Sequence, residues 1–337
     1  MVTENSVNQE TDVNRMLEGR VPALGIDLGG TKIAAAMSDG KTLVSDIVSL
    51  HTGSSADEIL AQLVGIVEKF QKTHVFAGIG LCTAGVVHPG SGDVIGSAPN
   101  IPGWEGTAVR RILESRTMVR VHIENDANAA AYAEWKVGNF GEAPCMVFIT
   151  LGTGVGGGII LNGAIHRGLN YAAGEVGHFR ITMENKRICT CGLFDCWEEY
   201  GSGRGMVATA REMLQGITED QCSLAGKIAT LSTRDIVSAA AEEDIIATRV
   251  MDKWHEHVCA GMAVIGPILN PSAFVLGGGL SEFVNLDMLI ELFKERTIKD
   301  VHTGVIITKS QLGKYAGLIG AANLVLGEIA VEASKMA

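Results

Sequence analysis

GIDLGGTKIAAAM, residues 25–37, is the stretch on which the architecture turns. A short apolar run, Ala23 to Asp27, delivers a carboxylate into a Leu-Gly-Gly turn, and a second run, Lys32 to Ser38, leaves it. The same order returns in FITLGTGVGGGII, residues 148–160. Aligning Asp27 with Thr150 sets Leu28 on Leu151 and Gly29 on Gly152. Glycine-rich hairpins recur by chance, but a duplicated domain with two phosphate-facing hairpins would leave this echo. Each domain would then be a mixed β/α layer structure, with the ligand in a cleft between the two.

Working outward, Leu43 to Leu50 extends the first hairpin into a meander or a second hairpin. Residues 55–72 carry Ile59, Leu60, Leu63, Ile66, Val67 and Phe70 at helical spacing, with an acidic start and lysine at the end. Phe76 to Cys82 and Met118 to Ile123 read as strands, with a helix over Thr107 to Ser115 between them. Ala127 to Val137 is alanine-rich and helical, and Asn125 or Asp126 is placed to cap it. Cys145 to Leu151 and Gly156 to Leu161 read as strands around the second glycine turn. The region 174–201 is irregular. Helices are expected over 202–214, 233–242, 244–269 and 315–335, and strands over Ala273 to Leu276 and Val305 to Thr308.

The bulk numbers set limits. A chain of 337 residues suggests two domains or one large one. Glycine is in excess, 42 residues where average usage is about 7%, so tight turns or close backbone approaches to a ligand are expected. A net charge of −11 argues against nucleic-acid binding, which needs clustered Lys and Arg. It leaves a nucleotide open, because helix ends, backbone N–H groups and Mg²⁺ hold phosphates locally. No run of about 20 apolar residues suggests a membrane span. The first twenty residues are polar and read as a tail without a secretory signal, which points to a cytoplasmic protein. Cys82, Cys145, Cys222 and Cys259 are scattered, while Cys189, Cys191 and Cys196 cluster. That pattern fits a reducing compartment and a metal site better than a disulfide framework.

Several constellations can carry chemistry. In Asp27-Leu28-Gly29-Gly30-Thr31-Lys32, glycines admit phosphates to the backbone, Thr and Lys donate, and Asp can hold Mg²⁺ through water. The plain alternative is an ordinary Gly-Gly hairpin. Gly152-Thr153-Gly154-Val155-Gly156-Gly157-Gly158 matches a dinucleotide fingerprint formally. That fingerprint needs a helix next, and strand-like Ile159-Ile160-Leu161 follows instead, so a phosphate hairpin is preferred. In Glu124-Asn125-Asp126-Ala127-Asn128, local sequence favours a helix cap. The functional rival is that Asp126 accepts a hydroxyl proton, kept ionised by the helix start. His178 with Cys189, Cys191 and Cys196 fits a closed Cys₃His zinc site, structural in kind. Asn100, Glu175 and Glu198 sit among turn residues and suit sugar hydroxyls, though each alone could be a solvated side chain. Gly277-Gly278-Gly279 follows a buried strand and could approach a nucleotide or simply turn.

Together these motifs resemble the ROK family of sugar kinases and sugar-responsive repressors. The resemblance runs from about Val21 to the end, through GIDLGGTK, TAG with SAPN, ENDANAAAYAEW, LGTGVGGGII, GEVGH, CTCGLFDCWEEYGSG, NPSAFVLGGG and AGLIGAA. It implies an α/β, two-domain actin-like ATPase (ribonuclease H-like) fold, with mixed sheets, flanking helices and a cleft between domains. The expected division is a tail over 1–20, a small domain over 21–125 plus 315–337, and a large domain over 126–314 that holds the zinc loop 178–196. The resemblance implies Asp126 as catalytic base. It implies that Asn100, Asn125, Glu175, His178 and Glu198 bind sugar hydroxyls, with Gly85 lining the site. Asp27, Gly29, Gly30, Thr31 and Lys32 would form one ATP-phosphate hairpin, and Gly152, Thr153 and Gly154 the other, with Gly277, Gly278 and Gly279 near the nucleoside. His178, Cys189, Cys191 and Cys196 would bind zinc, leaving the second ring nitrogen of His178 for the sugar. The family's zinc loop usually reads C-x-C-G-x-x-G-C, and Asp195 here replaces the second glycine. If φ is positive there, Asp is tolerated better than most residues.

The implied activity is transfer of the γ-phosphoryl group of ATP, with Mg²⁺, to the 6-hydroxyl of a hexose. Glucose is the first choice, with N-acetylmannosamine or another hexose as the alternative. Family members are commonly dimers, so a homodimer or a dimer of dimers is expected. A sugar-responsive DNA-binding regulator would carry a helix-turn-helix before DLGGTK, and 26 residues precede Asp27. That space is too short for one, so no nucleic-acid partner is expected. A catalytically dead sensor would have lost the base or a phosphate hairpin, and both are present.

Overall fold

The computed structural model describes residues 21–336 apart from 97, 99, 100, 139 and 220, so the 1–20 tail lies outside the described residues. The chain forms two compact units. The first runs to Gly141, takes in Arg167–Ala172 and ends with Tyr315–Ala337, and the second is Glu142–His166 with Ala173–Lys314.

In the first unit the chain forms β1 (Ala23–Leu28), β2 (Lys32–Ser38), β3 (Val48–His51), α1 (Ala56–Gln71), β4 (Ile79–Thr83), β5 (Val86–Val87), β6 (Val94–Gly96), α2 (Val109–Thr117), β7 (Val121–Asn125) and α3 (Asp126–Val137). The main sheet has the order β3-β2-β1-β4-β7. β1 to β3 form the antiparallel meander, and β4 and β7 continue from β1 in parallel. Helix α1 begins where Ser55 accepts the N–H of Glu58, and its buried Ile59, Leu60, Leu63, Ile66, Val67 and Phe70 are the apolar face read from sequence. They join Leu24, Ile26, Leu28 and Trp104 in one core. Short β5 and β6 were not foreseen from sequence, being too brief for a periodic signal.

The second unit contains β8 (Cys145–Leu151), β9 (Val155–Leu161), β10 (Ala164–Ile165), α4 (Glu198–Gly201), α5 (Gly203–Met213), α6 (Thr233–Ala241), α7 (Ile245–Leu269), β11 (Ala273–Gly277), α8 (Leu286–Arg296), α9 (Lys299–His302) and β12 (Ile306–Lys309). Its sheet order, β10-β9-β8-β11-β12, repeats the strand senses of the first. The β1–β2 hairpin pairs Asp27 with Ala34, and the β8–β9 hairpin pairs Thr150 with Gly156. The echo in the sequence is thus a repeated sheet topology. Trp197, Trp254 and Phe274 fill this unit's core, and Gly261 of α7 lies where an added Cβ would fall 2.0 Å from the Trp197 ring.

The last helix, α10 (Ala316–Met336), belongs to the first unit. By length and composition it could cross a membrane. Its apolar side is instead spent on the first sheet: Ala322 and Val325 pack with Ala23. The approach is so close that an added Cβ would fall 2.2 Å from the Leu318 carbonyl at Gly25 and 1.8 Å from the Ala321 carbonyl at Gly80. The boundary expected before Asp126 would hand α3 to the second domain. In the structure α3 stays in the first unit, because its buried alanines (Ala129, Ala130, Ala131, Ala133) let α10 approach until Gly320 faces the Ala129 carbonyl. Gly80→Ala therefore forces α10 off the sheet. We expect a loss of stability of about 3 kcal/mol, read from denaturant midpoints, with unchanged midpoints showing that the approach is not required.

Candidate active site

Parallel neighbours end at the same edge of a sheet, and in the first unit that edge gathers polar groups. Asp27 pairs with Cys82 across β1 and β4, and Thr83 pairs with Asn125 across β4 and β7. The β1–β2 turn is closed by the Gly29 N–H on the Lys32 carbonyl, and Thr52 donates its hydroxyl to the Gly29 carbonyl at 2.7 Å. Gly85 turns with φ +103° just after β4, and its carbonyl accepts the Asn125 side-chain amide at 3.2 Å. Asn125 also caps α3 by accepting the Asn128 N–H. Asp126, first residue of α3, accepts the Ala127 N–H and is left exposed.

Asp27 is half-buried and its pKa is raised from the ordinary 3.8 to about 6. Burial is the largest cause and the charge of Asp126 the next, against a contact from the Cys82 thiol and the charge of Lys32. Asp126 is also raised, by the crowding of protein around it. The N–H groups of Ala127 and of Asp126 itself, with the Asn125 side chain, act the other way without prevailing. The helix start favours the ionised form of Asp126, and burial acts more strongly against it. A carboxylate lifted toward the working pH is the better proton acceptor.

Sequence reasoning passed over what holds this edge together. Glu124, buried behind Asn125, accepts the Asn125 N–H at 3.0 Å and the Asn128 amide at 3.1 Å on one oxygen. Its other oxygen takes both Arg167 donors, Nε at 3.0 Å and a terminal nitrogen closer still. Arg167 lies in the short segment that returns to this unit. A lone Arg in a loop gives no periodic signal.

In the second unit β8 and β11 are parallel, so their glycine turns leave the same edge. The Gly152 N–H closes its turn on the Gly154 carbonyl at 3.0 Å. Gly278 has φ +81° and an added Cβ there would fall 2.3 Å from the Leu151 carbonyl, so this turn admits only glycine. Strand β9, not a helix, follows the first turn, which removes the dinucleotide reading. Glu198, first residue of α4, reaches this edge: it accepts the Val155 N–H at 3.0 Å and the Arg204 guanidinium at 2.5 Å. Glu175 precedes a short turn that carries His178, with 3.8 Å between its carboxylate and Nε2 of His178.

The other His178 nitrogen, Nδ1, lies 3.6 Å from the sulfur of Cys189, and the sulfurs of Cys191 and Cys196 are 3.6 Å apart. All four ligand atoms lie within 4.8 Å of one another. Sulfurs around a tetrahedral zinc at about 2.3 Å stand about 3.8 Å apart, so the donor set and its spacing fit a closed metal site. Asp195 takes φ +57°, the conformation that explains glycine at this position in the family's pattern. Its buried carboxylate accepts the N–H groups of Asn185, Lys186 and Arg187 and the Tyr200 hydroxyl. Burial opposes ionisation, but these donors, Arg187 first, hold its pKa down at about 2. The departure from the family pattern thus ties the cysteine loop down rather than loosening it.

Each unit therefore gathers its own share of the expected residues. The first collects Asp27, Gly29, Gly30, Thr31, Lys32, Gly85, Asn125 and Asp126, and the second collects Gly152, Thr153, Gly154, Glu175, His178, Glu198, Gly277, Gly278 and Gly279 around the Cys cluster. Asn100 lies outside the described residues.

Two units with a repeated five-stranded mixed sheet, each presenting a glycine hairpin beside acidic groups, define an actin-like ATPase fold. Residues 23–328 match the sequence model of the ROK family, and the chain belongs to that family. It is 32% identical to a glucokinase of Streptomyces coelicolor, over 89% of this chain and 96% of that one. A glucokinase of Halalkalibacterium halodurans is 34% identical, over 90% and 94%. An N-acetyl-D-glucosamine kinase of Pasteurella multocida is 31% identical, over 90% and 99%. Among solved structures, a ROK family glucokinase from Streptomyces griseus, in complex with glucose and AMPPNP, superposes with a TM-score of 0.75 at 31% identity, over 90% and 98%.

The raised Asp27 pKa has a stability consequence. The folded protein binds this proton more tightly than the unfolded chain, so the stability that goes with the protonated acid is full below about 3.8 and is lost as pH rises through about 6. Asp27→Asn, which stays uncharged, should melt above the parent protein at pH 8, with the gap closing by pH 4. A gap that stays constant with pH would show that Asp27 is not perturbed.

Proposed function

We propose that the chain is an ATP-dependent kinase that transfers the γ-phosphoryl group to the 6-hydroxyl of a hexose, glucose being the first substrate to test. The observation that carries the reading is Asp126, an exposed carboxylate with raised pKa at the start of α3, beside Asp27 and the first glycine hairpin. In this reading Asp126 accepts the proton of the sugar hydroxyl as it attacks. Phosphoryl transfer depends on positioning and charge stabilisation more than on a strong base, and a carboxylate suffices.

Asn125, Asn100, Glu175, His178 and Glu198 are the proposed sugar ligands, with Gly85 lining the site. The two hairpins and Gly277–Gly279 receive the nucleotide, whose bound Mg²⁺ neutralises phosphate charge. Zinc is the metal we assign to His178, Cys189, Cys191 and Cys196. Held through Nδ1, His178 would keep Nε2 free for a hydroxyl, and the site would be structural, because all four positions are filled by protein. A cytoplasmic location and a homodimer complete the reading. An N-acetylhexosamine, N-acetylmannosamine included, is the second substrate reading, favoured by the likeness to an N-acetyl-D-glucosamine kinase.

A coupled ADP-release assay over hexoses and N-acetylhexosamines tests the activity and ranks the substrates, and no turnover with any sugar would overturn it. On the best substrate, Asp126→Asn should retain sugar affinity and lose about 10²- to 10⁴-fold in kcat. Near-normal kcat would remove Asp126 from the base role. Purified protein should hold zinc, and Cys191→Ser or chelation should lower melting temperature and activity together. Metal-free protein with full activity would refute the zinc assignment.

A further inference from the structure

Arg204 has no place in the reading above, and its surroundings are unusual. It is the second residue of α5, where a cation opposes the helix dipole. A side chain kept there needs partners that outweigh the dipole. Three lie around it: the Glu198 carboxylate at 2.5 Å, the Glu199 carboxylate at 3.7 Å and the Thr153 carbonyl, which accepts from Nε at 3.2 Å.

These contacts close a ring. Thr153 lies in the second glycine turn, the Val155 N–H after it donates to the other Glu198 oxygen at 3.0 Å, and the Gly203 N–H beside Arg204 donates to the Gly152 carbonyl at 2.8 Å. An added Cβ at Gly154 would fall 2.2 Å from that Glu198 oxygen. Glycine at 154 thus makes room for a carboxylate as well as for a phosphate. A carboxylate has about four acceptor positions. Two are used here, so Glu198 can still accept a sugar hydroxyl without releasing Arg204 or the turn.

We propose that Arg204 is a positioning residue that makes sugar and nucleotide bind cooperatively, by fixing the sugar-binding Glu198 and the phosphate-binding turn Gly152–Gly154 as one body. The proposal rests on the kinase reading. A sugar that orders Glu198 orders Arg204, and Arg204 holds the Thr153 carbonyl so that the turn is set for phosphate. By linkage, nucleotide raises sugar affinity by the same factor.

Calorimetric titration of glucose, with and without saturating Mg²⁺ and a non-hydrolysable ATP analogue, reads the coupling as a ratio of dissociation constants. In the parent protein the analogue should tighten glucose by about 5-fold or more, and in Arg204→Ala the ratio should fall to about 1. Arg204→Lys keeps a charge beside Glu198 but has no planar fork to hold Thr153 at the same time, so its ratio should also stay near 1. A residue that only stabilises α5 would weaken glucose equally in both arms, and a ratio unchanged in Arg204→Ala would overturn the proposal. A parent ratio of 1, or full coupling in Arg204→Lys, would also overturn it. Failure of the kinase reading is separate, since the parent protein would then phosphorylate no sugar in the panel assay.

Discussion

A parallel pair of hydrogen-bonded strands has both carboxyl ends on one side, and almost everything reactive in this chain follows from that constraint. In each unit the central strand starts an antiparallel hairpin on one flank and pairs in parallel on the other. The hairpin turn and the loops after the parallel strands must therefore emerge side by side. Asp27, Gly85 and Asn125 are neighbours for this reason, though nearly 100 residues apart in the chain. Leu151 and Gly278 are neighbours for the same reason. The glycines then let the loops crowd together without side chains between them.

Loops held by backbone alone would be loose, and buried charged groups with their hydrogen-bond partners stiffen them. Glu124 with Arg167 supports the start of α3 in the first unit. In the second, Asp195 gathers three backbone N–H groups and the Tyr200 hydroxyl, while Arg187 stacks on the Tyr200 ring at 4.3 Å and meets Glu212. Removing one partner of a buried pair leaves a stranded charge and costs about 3–5 kcal/mol. Glu124 with Arg167 is the pair to which that cost applies, the Glu124 side chain being 3% exposed.

Much of this was legible in the sequence. Strong periodicity gave the long helices, and the glycine echo gave the repeated sheet, because both leave a local trace. Asn125 or Asp126 was legible as the cap of α3, and it is Asn125 that caps, with Asp126 the first helical residue; the helix start can be read from sequence, but not the burial that raises the Asp126 pKa against it. The placement of α3 was misjudged for a related reason. Its alanines announce a helix, but not that α10, almost 200 residues later, lies against them. Arg167 and Arg204 were invisible as single charges in glycine-rich stretches. The only hint was the position of Arg204 in a first helical turn, where a cation is out of place.

The packing of α10 on the first sheet also has a meaning in time. The sheet of the first unit precedes the second unit in the chain, but the helix that packs on it, α10, follows the second unit. During synthesis Gly25 and Gly80 face no partner until residues 316–336 have left the ribosome, whereas the continuous stretch 173–314 is already available to the second unit. Domains fold as units while the chain grows, so the second unit is set to fold before the first. The first sheet, made early and finished late, waits for its covering helix while the whole second unit is made.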